Sequence, residues 1–152
     1  MPAQTSSTPE FALRLEGVAL GYGDFTVLRD ISMDVRAGQV VAVMGGSGSG
    51  KTTLLRAATG QLVAQQGRVL AFGQDIGRAT AAELQSLRKR MGVLFQQGAL
   101  FTDLNVFENV AFPLREHTKL SESDITDRVL DKLDAVGLRA AAHLKAVSYT
   151  HL

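Results

Sequence analysis

Residues 45–55 read GGSGSGKTTLL, and their spacing, Gly45-x-x-x-x-Gly50-Lys51-Thr52, is a complete phosphate-binding loop. Gly45, Gly46, Gly48 and Gly50 let the backbone turn through angles that a Cβ forbids. Such a turn points consecutive N–H groups inward as a nest for phosphate oxygens. A helix begun at Lys51 adds its positive dipole end. The Lys51 ammonium is suited to β- and γ-phosphate oxygens, and the Thr52 hydroxyl to Mg²⁺. The flanks supply the context the motif requires. Val40–Met44, the longest purely apolar run, predicts a strand buried on both faces. Helical character is expected from Lys51 to about Thr59, with Gly60 as the stop.

The chain has 152 residues, enough for one domain with a core, and its 45% hydrophobic and 20% charged content is that of a globular protein. Sixteen Lys and Arg against fifteen Asp and Glu give a net charge of +1, which does not suggest a nucleic-acid partner. There is no cysteine, which fits a cytoplasmic setting. The opening MPAQTSSTPEF has neither the basic start nor the apolar stretch of a secretory signal. No apolar run is long enough to cross a bilayer, so any membrane role is expected to pass through a partner.

Residues 1–10 are polar and expected to be disordered. Phe11–Leu20 alternates as a strand, with a kink at Gly17; GYGDF (Gly21–Phe25) is a turn, and Thr26–Val35 alternates again. Gly67–Phe72 reads as a short strand. Thr80–Arg90 reads as a helix opened by a Thr80/Glu83 capping box and ending in a solvated Arg88–Lys89–Arg90 cluster. Met91–Phe95 reads as a second buried strand. Asn105 with Glu108 opens a short helix that Pro113 is expected to end. Ser121 with Asp124 opens a longer one with an apolar stripe of Ile125, Val129, Leu130, Leu133 and Val136, stopped by Gly137. An antiparallel hairpin followed by alternating strands and helices means an α/β fold. His117, His143 and His151 have no ligand spacing, and Asp131 and Asp134 lie on a polar helix face.

A phosphate loop alone leaves nucleotide kinases, GTPases, helicases and transport ATPases open. A simple kinase usually begins with its loop strand, whereas here 44 residues come first, with Tyr22 placed 23 residues ahead of Gly45. The stretch LGYGDFTVLRDISMDVRAGQVVAVMGGSGSGKTTLLRAATG (Leu20–Gly60) resembles the opening of the ATP-binding subunit of ABC transporters. That resemblance implies a P-loop NTPase core with an N-terminal antiparallel β subdomain, and an aromatic at Tyr22 that stacks on adenine. MGVLFQQ (Met91–Gln97) looks like the family's Q-loop, with Gln96 at the Gln position and Gln97 next to it.

GALFTDLNVFENVAFPLREHTKL (Gly98–Leu120) is similar to the ATPase of Mla-type phospholipid transporters. Four of the seven Phe residues, Phe95, Phe101, Phe107 and Phe112, lie in or just before it; at least half are expected in the core and the rest in a groove. The resemblance makes Gln97–Leu120 the seat of a membrane-spanning permease subunit, and a second ATPase subunit the other partner. It implies ATP and Mg as cofactors. Nucleotide contacts then fall on Tyr22, Gly45, Gly46, Ser47, Gly48, Ser49, Gly50, Lys51, Thr52 and Thr53. Lys51 and Gln96 carry the catalytic roles, and Thr52 and Gln96 ligate Mg. The implied location is peripheral, on the cytoplasmic side of the inner membrane.

The resemblance runs from about Phe11 to Lys145. Between Gln97 and Leu152 there is no Ser-Gly-Gly signature and no apolar strand ending in Asp-Glu, and a switch His is not found. Residues 11–147 are therefore expected to be the N-terminal part of an ABC ATP-binding domain, truncated before the signature motif and the Walker B strand. Ser148–Leu152 is expected to be a tail foreign to the family. On this reading the chain grips nucleotide and is inactive in hydrolysis by itself. The alternatives are an ABC ATPase for another substrate such as an amino acid or drug, a nucleotide-binding module that never hydrolyses, and a P-loop nucleotide kinase.

Overall fold

The computed structural model describes residues 11–96 and 98–145, which fall into two compact units divided after Gly92. The readings made for residues 1–10, Gln97, His151 and the tail Ser148–Leu152 lie outside the described residues.

The first unit is built on an antiparallel sheet in the order β2-β1-β3-β4. β1 (Phe11–Tyr22) and β2 (Phe25–Arg36) form the predicted hairpin, turning through Gly23 and Asp24. The kink at Gly17 is a β-bulge: its φ is 55° and the β1–β2 register shifts between Leu15 and Val18. An inserted residue changes which parity of position faces inward. Leu15 therefore shares the buried face with Val18 and Leu20 although their spacing is odd. β3 (Gln66–Ala71) pairs with β1, and the two-residue β4 (Gln74–Asp75) pairs with β3.

Two helices complete this unit. α1 (Lys51–Ala58) packs on β1 and β3 with Thr53 and Ala57 buried. α2 (Ala81–Arg88) adds Leu87 to a core of Leu15, Val18, Leu20, Ala57, Val69, Ala71 and Ile76. The predicted capping box is formed: the Thr80 hydroxyl accepts the Glu83 N–H at 3.3 Å, and the Glu83 carboxylate accepts the Thr80 N–H at 2.8 Å. Those bonds from Thr80 hold the Glu83 carboxyl below its ordinary pKa. The basic cluster after α2 is not simply solvated. Arg88 donates from Nη2 to the Gly60 carbonyl at 2.8 Å and from Nε to that of Thr59 at 3.3 Å, closing the end of α1. Arg90 lies over the Phe72 ring at 4.0 Å.

The two predicted buried strands are not formed. Val40–Met44 leaves the turn after β2 without pairing, and Val40 and Met44 are 96% and 89% exposed. Val41 and Val43 border an apolar groove of about 510 Å³ with Leu13, Met33, Val35 and Leu54. Met91–Phe95, which crosses the division between the units, is likewise unpaired, with Leu94 88% exposed. A continuous apolar run becomes a doubly buried strand only when strands pair on its edges and elements cover its faces. Among the described residues nothing pairs with either run, and every strand pairing is antiparallel.

The second unit pairs α3 (Val106–His117) with α4 (Glu122–Ala135), followed by a 3₁₀ turn at Arg139–Ala141. Its core is Ala111, Ile125, Val129 and Leu133. Both helices start where their caps predict. Asn105 accepts the Glu108 N–H at 2.7 Å, and Ser121 with Asp124 forms a capping box that keeps the Asp124 carboxyl below its ordinary pKa. Pro113 does not end α3, which continues to His117. Proline removes only the bond to the carbonyl four residues back. Beyond it Leu114 packs on the core and Arg115 pairs with Glu108 and Glu122, tying α3 to α4. These two carboxylates, Glu122 first, raise the Arg115 guanidinium pKa further. Val136 is 67% exposed because α4 ends at Ala135, before the stripe reaches it. Gly137, at a φ of 72°, follows as the stop.

Candidate functional site

The loop predicted to bind phosphate sits at the N-terminus of α1, in the first unit. Gly48 and Gly50 have φ of 77° and 90°, the left-handed values that a nest of N–H groups calls for. At Gly50 a Cβ would also lie 2.8 Å from the Leu28 side chain of β2, so the loop is pressed against the sheet where only hydrogen fits. At Gly45 a Cβ would lie 2.6 Å from Ser49 Oγ, inside the curl of the loop.

Lys51 Nζ donates to the carbonyls of Gly45 at 2.7 Å and Gly46 at 2.6 Å, with Ser49 Oγ at 3.3 Å. The ammonium is thus held at the loop rather than extended into solvent. The start of α1 differs from those of the other α-helices. α2, α3 and α4 each have a side-chain cap and an acidic residue in the first turn. α1 is capped by Gly50, which has no side chain to offer, and has no acidic residue in its first turn. Its first N–H groups remain available as donors at the positive end of the dipole. A tight glycine cradle, an uncapped helix start and a lysine at the mouth fit a polyphosphate.

Thr52 is exposed beside Lys51, whereas Thr53 is buried, 6% exposed. Tyr22 ends β1 and is 45% exposed. Its hydroxyl accepts Arg56 Nη1–H at 3.1 Å. The Thr53 side chain, and after it Arg56, hold the Tyr22 phenol below its ordinary pKa of 10.0. The structure therefore joins Tyr22 to the helix that begins at the loop. Ser47, Gly46 and Ser49 are exposed along the loop itself.

Gln96 belongs to the second unit, exposed in a turn closed by the Gly98 N–H on the Phe95 carbonyl at 2.9 Å. Among the described residues no group of three His, Cys, Asp or Glu could hold a metal, and His117 and His143 are exposed. Thr52 and Gln96, the two residues read as Mg contacts, offer neutral oxygens and belong to different units. From Phe95 onward the aromatic reading needs correction. Only Phe107 packs against a core; Phe95, Phe101 and Phe112 are 45%, 51% and 41% exposed. Phe101 and Phe112 meet each other at 4.8 Å between ring centroids, forming a surface pair.

Two residues with structural roles at these places escape sequence reasoning. Arg56 reaches Tyr22, and Asn109 brackets the 101–105 loop. Asn109 accepts the Phe101 N–H at 2.8 Å and donates to the carbonyls of Phe101 at 3.0 Å and Asn105 at 3.0 Å. Neither has a spacing signal; each acts through a contact formed only in the fold.

The ABC transporter family matches residues 28–151. The intermembrane phospholipid transport system ATP-binding protein MlaF of Haemophilus influenzae is 51% identical over 132 residues, which are 87% of this chain and 50% of that protein. The chain thus spans about half the length of the curated relatives it matches. Among solved structures, cbiO1 from Clostridium perfringens, part of the ABC transporter complex cbiONQ, superposes with a TM-score of 0.78 at 29% identity, covering 90% of this chain and 54% of that one. A dimeric ATP-binding cassette in a post-hydrolysis state, bound to ADP and Pi, gives a TM-score of 0.78 at 27% identity, covering 88% of this chain and 61% of that one. With the antiparallel β subdomain and the glycine loop at the start of α1 in place, these matches establish that the chain belongs to the ABC transporter family.

Proposed function

We propose that the chain is the nucleotide-gripping part of an ATP-binding subunit that drives phospholipid transport. The observation that carries this reading is the cradle: left-handed φ at Gly48 and Gly50, an uncapped α1, and Lys51 at the mouth. The loop N–H groups from Gly45 to Gly50 receive phosphate oxygens. Lys51 exchanges its carbonyl partners for β- and γ-phosphate oxygens, and Thr52 offers its hydroxyl to Mg²⁺. Tyr22 presents its ring face to the base. Mg²⁺ held by Thr52 would supply charge neutralisation at the phosphates. Gln96 is assigned to the metal or the attacking water. Between Gln97 and Leu152 the sequence supplies no Ser-Gly-Gly and no Asp-Glu pair, so hydrolysis is not assigned to these residues.

The lipid cargo is supported by the 51% identity to a protein named for phospholipid transport. A second cassette as partner is supported by the dimeric structural neighbour. No helix of the described residues is long and apolar enough to cross a membrane. We therefore assign membrane attachment to a permease subunit seated on the exposed Phe101–Phe112 pair and its loop. Leu104, half-buried, belongs to that loop. Replacing Phe101 or Leu104 with Asp is expected to abolish co-purification with the permease while ATP binding persists. An intact complex would remove those positions from the contact.

Adenine recognition is tested by Tyr22→Ala. Loss of one stacking platform should weaken ATP by about 5- to 150-fold, the range of single base-stacking contacts. Tripolyphosphate, which has no base, should bind as before. Equal losses for both ligands, read by displacement of a fluorescent nucleotide, would contradict the assignment.

A further inference from the structure

We infer that Arg56 is a positioning residue that sets the Tyr22 ring for the nucleotide base, acting from the face of α1 turned toward the β1–β2 hairpin. This rests on the adenine reading of Tyr22. Thr53 and Arg56 are three residues apart on α1 and so lie on one face. Thr53 is buried there, and Arg56 Nη1 reaches the Tyr22 hydroxyl at 3.1 Å. Among the described residues the Tyr22 hydroxyl is the one hydrogen-bond partner of the Arg56 side chain, which makes no ion pair there. Its guanidinium is thereby committed to the phenol rather than to a carboxylate.

The backbone around Tyr22 is anchored separately. Gln65 donates from Nε2 to the Gly23 carbonyl at 2.7 Å, and its Oε1 accepts the Thr26 hydroxyl at 3.0 Å. The Gln65 N–H in turn donates to the Ala19 carbonyl at 2.9 Å. Gln65 thus fixes the hairpin tip, while α1 fixes the far end of the side chain. A phenol held at Cα by one element and at its oxygen by another is restrained from rotating about χ1. Its ring plane is referenced to the helix that begins at the phosphate loop. Base and polyphosphate are then measured from one rigid element, α1, and the cost of ordering the ring on binding falls.

The competing account is that Arg56 merely places a cation in the last turn of α1, where the dipole favours it. Two measurements separate them. The first is an absorbance titration of the tyrosine in a Tyr149→Phe background, which leaves Tyr22 as the single tyrosine. Arg56→Ala should move the phenol midpoint upward toward 10.0, because a donor to the phenolate is removed. Arg56→Lys, which keeps the cation but not the planar fork, should recover that shift only in part.

The second is nucleotide selectivity. Arg56→Ala should weaken ATP by about 2- to 12-fold, the loss set by one hydrogen bond of ordinary net worth, with tripolyphosphate unchanged. Tyr22→Phe should lose a similar amount, and the double variant no more than either single one. An unmoved phenol midpoint, or losses that add in the double variant, would overturn the positioning role. If Tyr22→Ala leaves ATP affinity intact while the midpoint still moves with Arg56, the adenine reading itself fails and the contact is structural.

Discussion

Lys51→Ala is expected to lower ATP affinity by at least about 10- to 150-fold, the effect of losing a charged hydrogen-bond donor aimed at phosphate. The loss has two sources. One is the charge itself, since no other Lys or Arg lies in the 45–55 loop segment. The other is the loop: Nζ bonds both the Gly45 and Gly46 carbonyls, so its removal frees the curl that presents the N–H groups. Lys51→Arg should not restore binding, because a planar fork does not replace a compact ammonium among carbonyls at 2.6 and 2.7 Å. A fluorescent ATP analogue binding the Ala variant as tightly as the parent would refute the phosphate-loop assignment. The chain's own ATP turnover is expected to match this variant's. Steady turnover above it would show that the residues present suffice for hydrolysis.

Leu20→Ala is expected to cost about 2–5 kcal/mol of stability, the range for removing a buried Leu side chain and leaving a cavity. Leu20 is fully buried on the inner face of β1, in the cluster with Leu15, Val18 and Val69. Val40→Ala, a substitution in a run that looks more core-like, should change stability by less than about 0.5 kcal/mol. Val40 is 96% exposed and pairs with nothing among the described residues. Urea unfolding of the two variants checks the contrast. Comparable losses would mean that Val40–Met44 is buried in solution. The same exposure has a cost in handling, since apolar surface at Val40, Met44 and Leu94 promotes association. Asp at Val40 should therefore raise solubility without loss of fold.

Much of this protein was legible in the sequence because the forces concerned act within a few residues. Strand alternation, the bulge at Gly17, the turn at Gly23 and the stops at Gly60 and Gly137 follow from local backbone sterics. The caps at Thr80, Asn105 and Ser121 close rings between residues three apart, so their spacing alone announces them. The phosphate loop is of the same kind: glycine spacing, a lysine and a helix start are contiguous.

What only the tertiary structure decided involves partners far apart in the chain. The apolar content of Val40–Met44 shows that it can be a buried strand, but pairing needs neighbours that no periodicity supplies. Arg88 appeared as a solvated cation until Gly60, 28 residues away, presented its carbonyl. Pro113 appeared as a helix end until packing at Leu114 and the Arg115 pairs carried α3 past it. The joining of Tyr22 to Arg56 spans 34 residues and has no motif, because a hydrogen bond across the fold depends on where β1 and α1 meet. Local chemistry marks the phosphate cradle in the sequence; the packing of α1 against the sheet decides that Arg56 meets Tyr22.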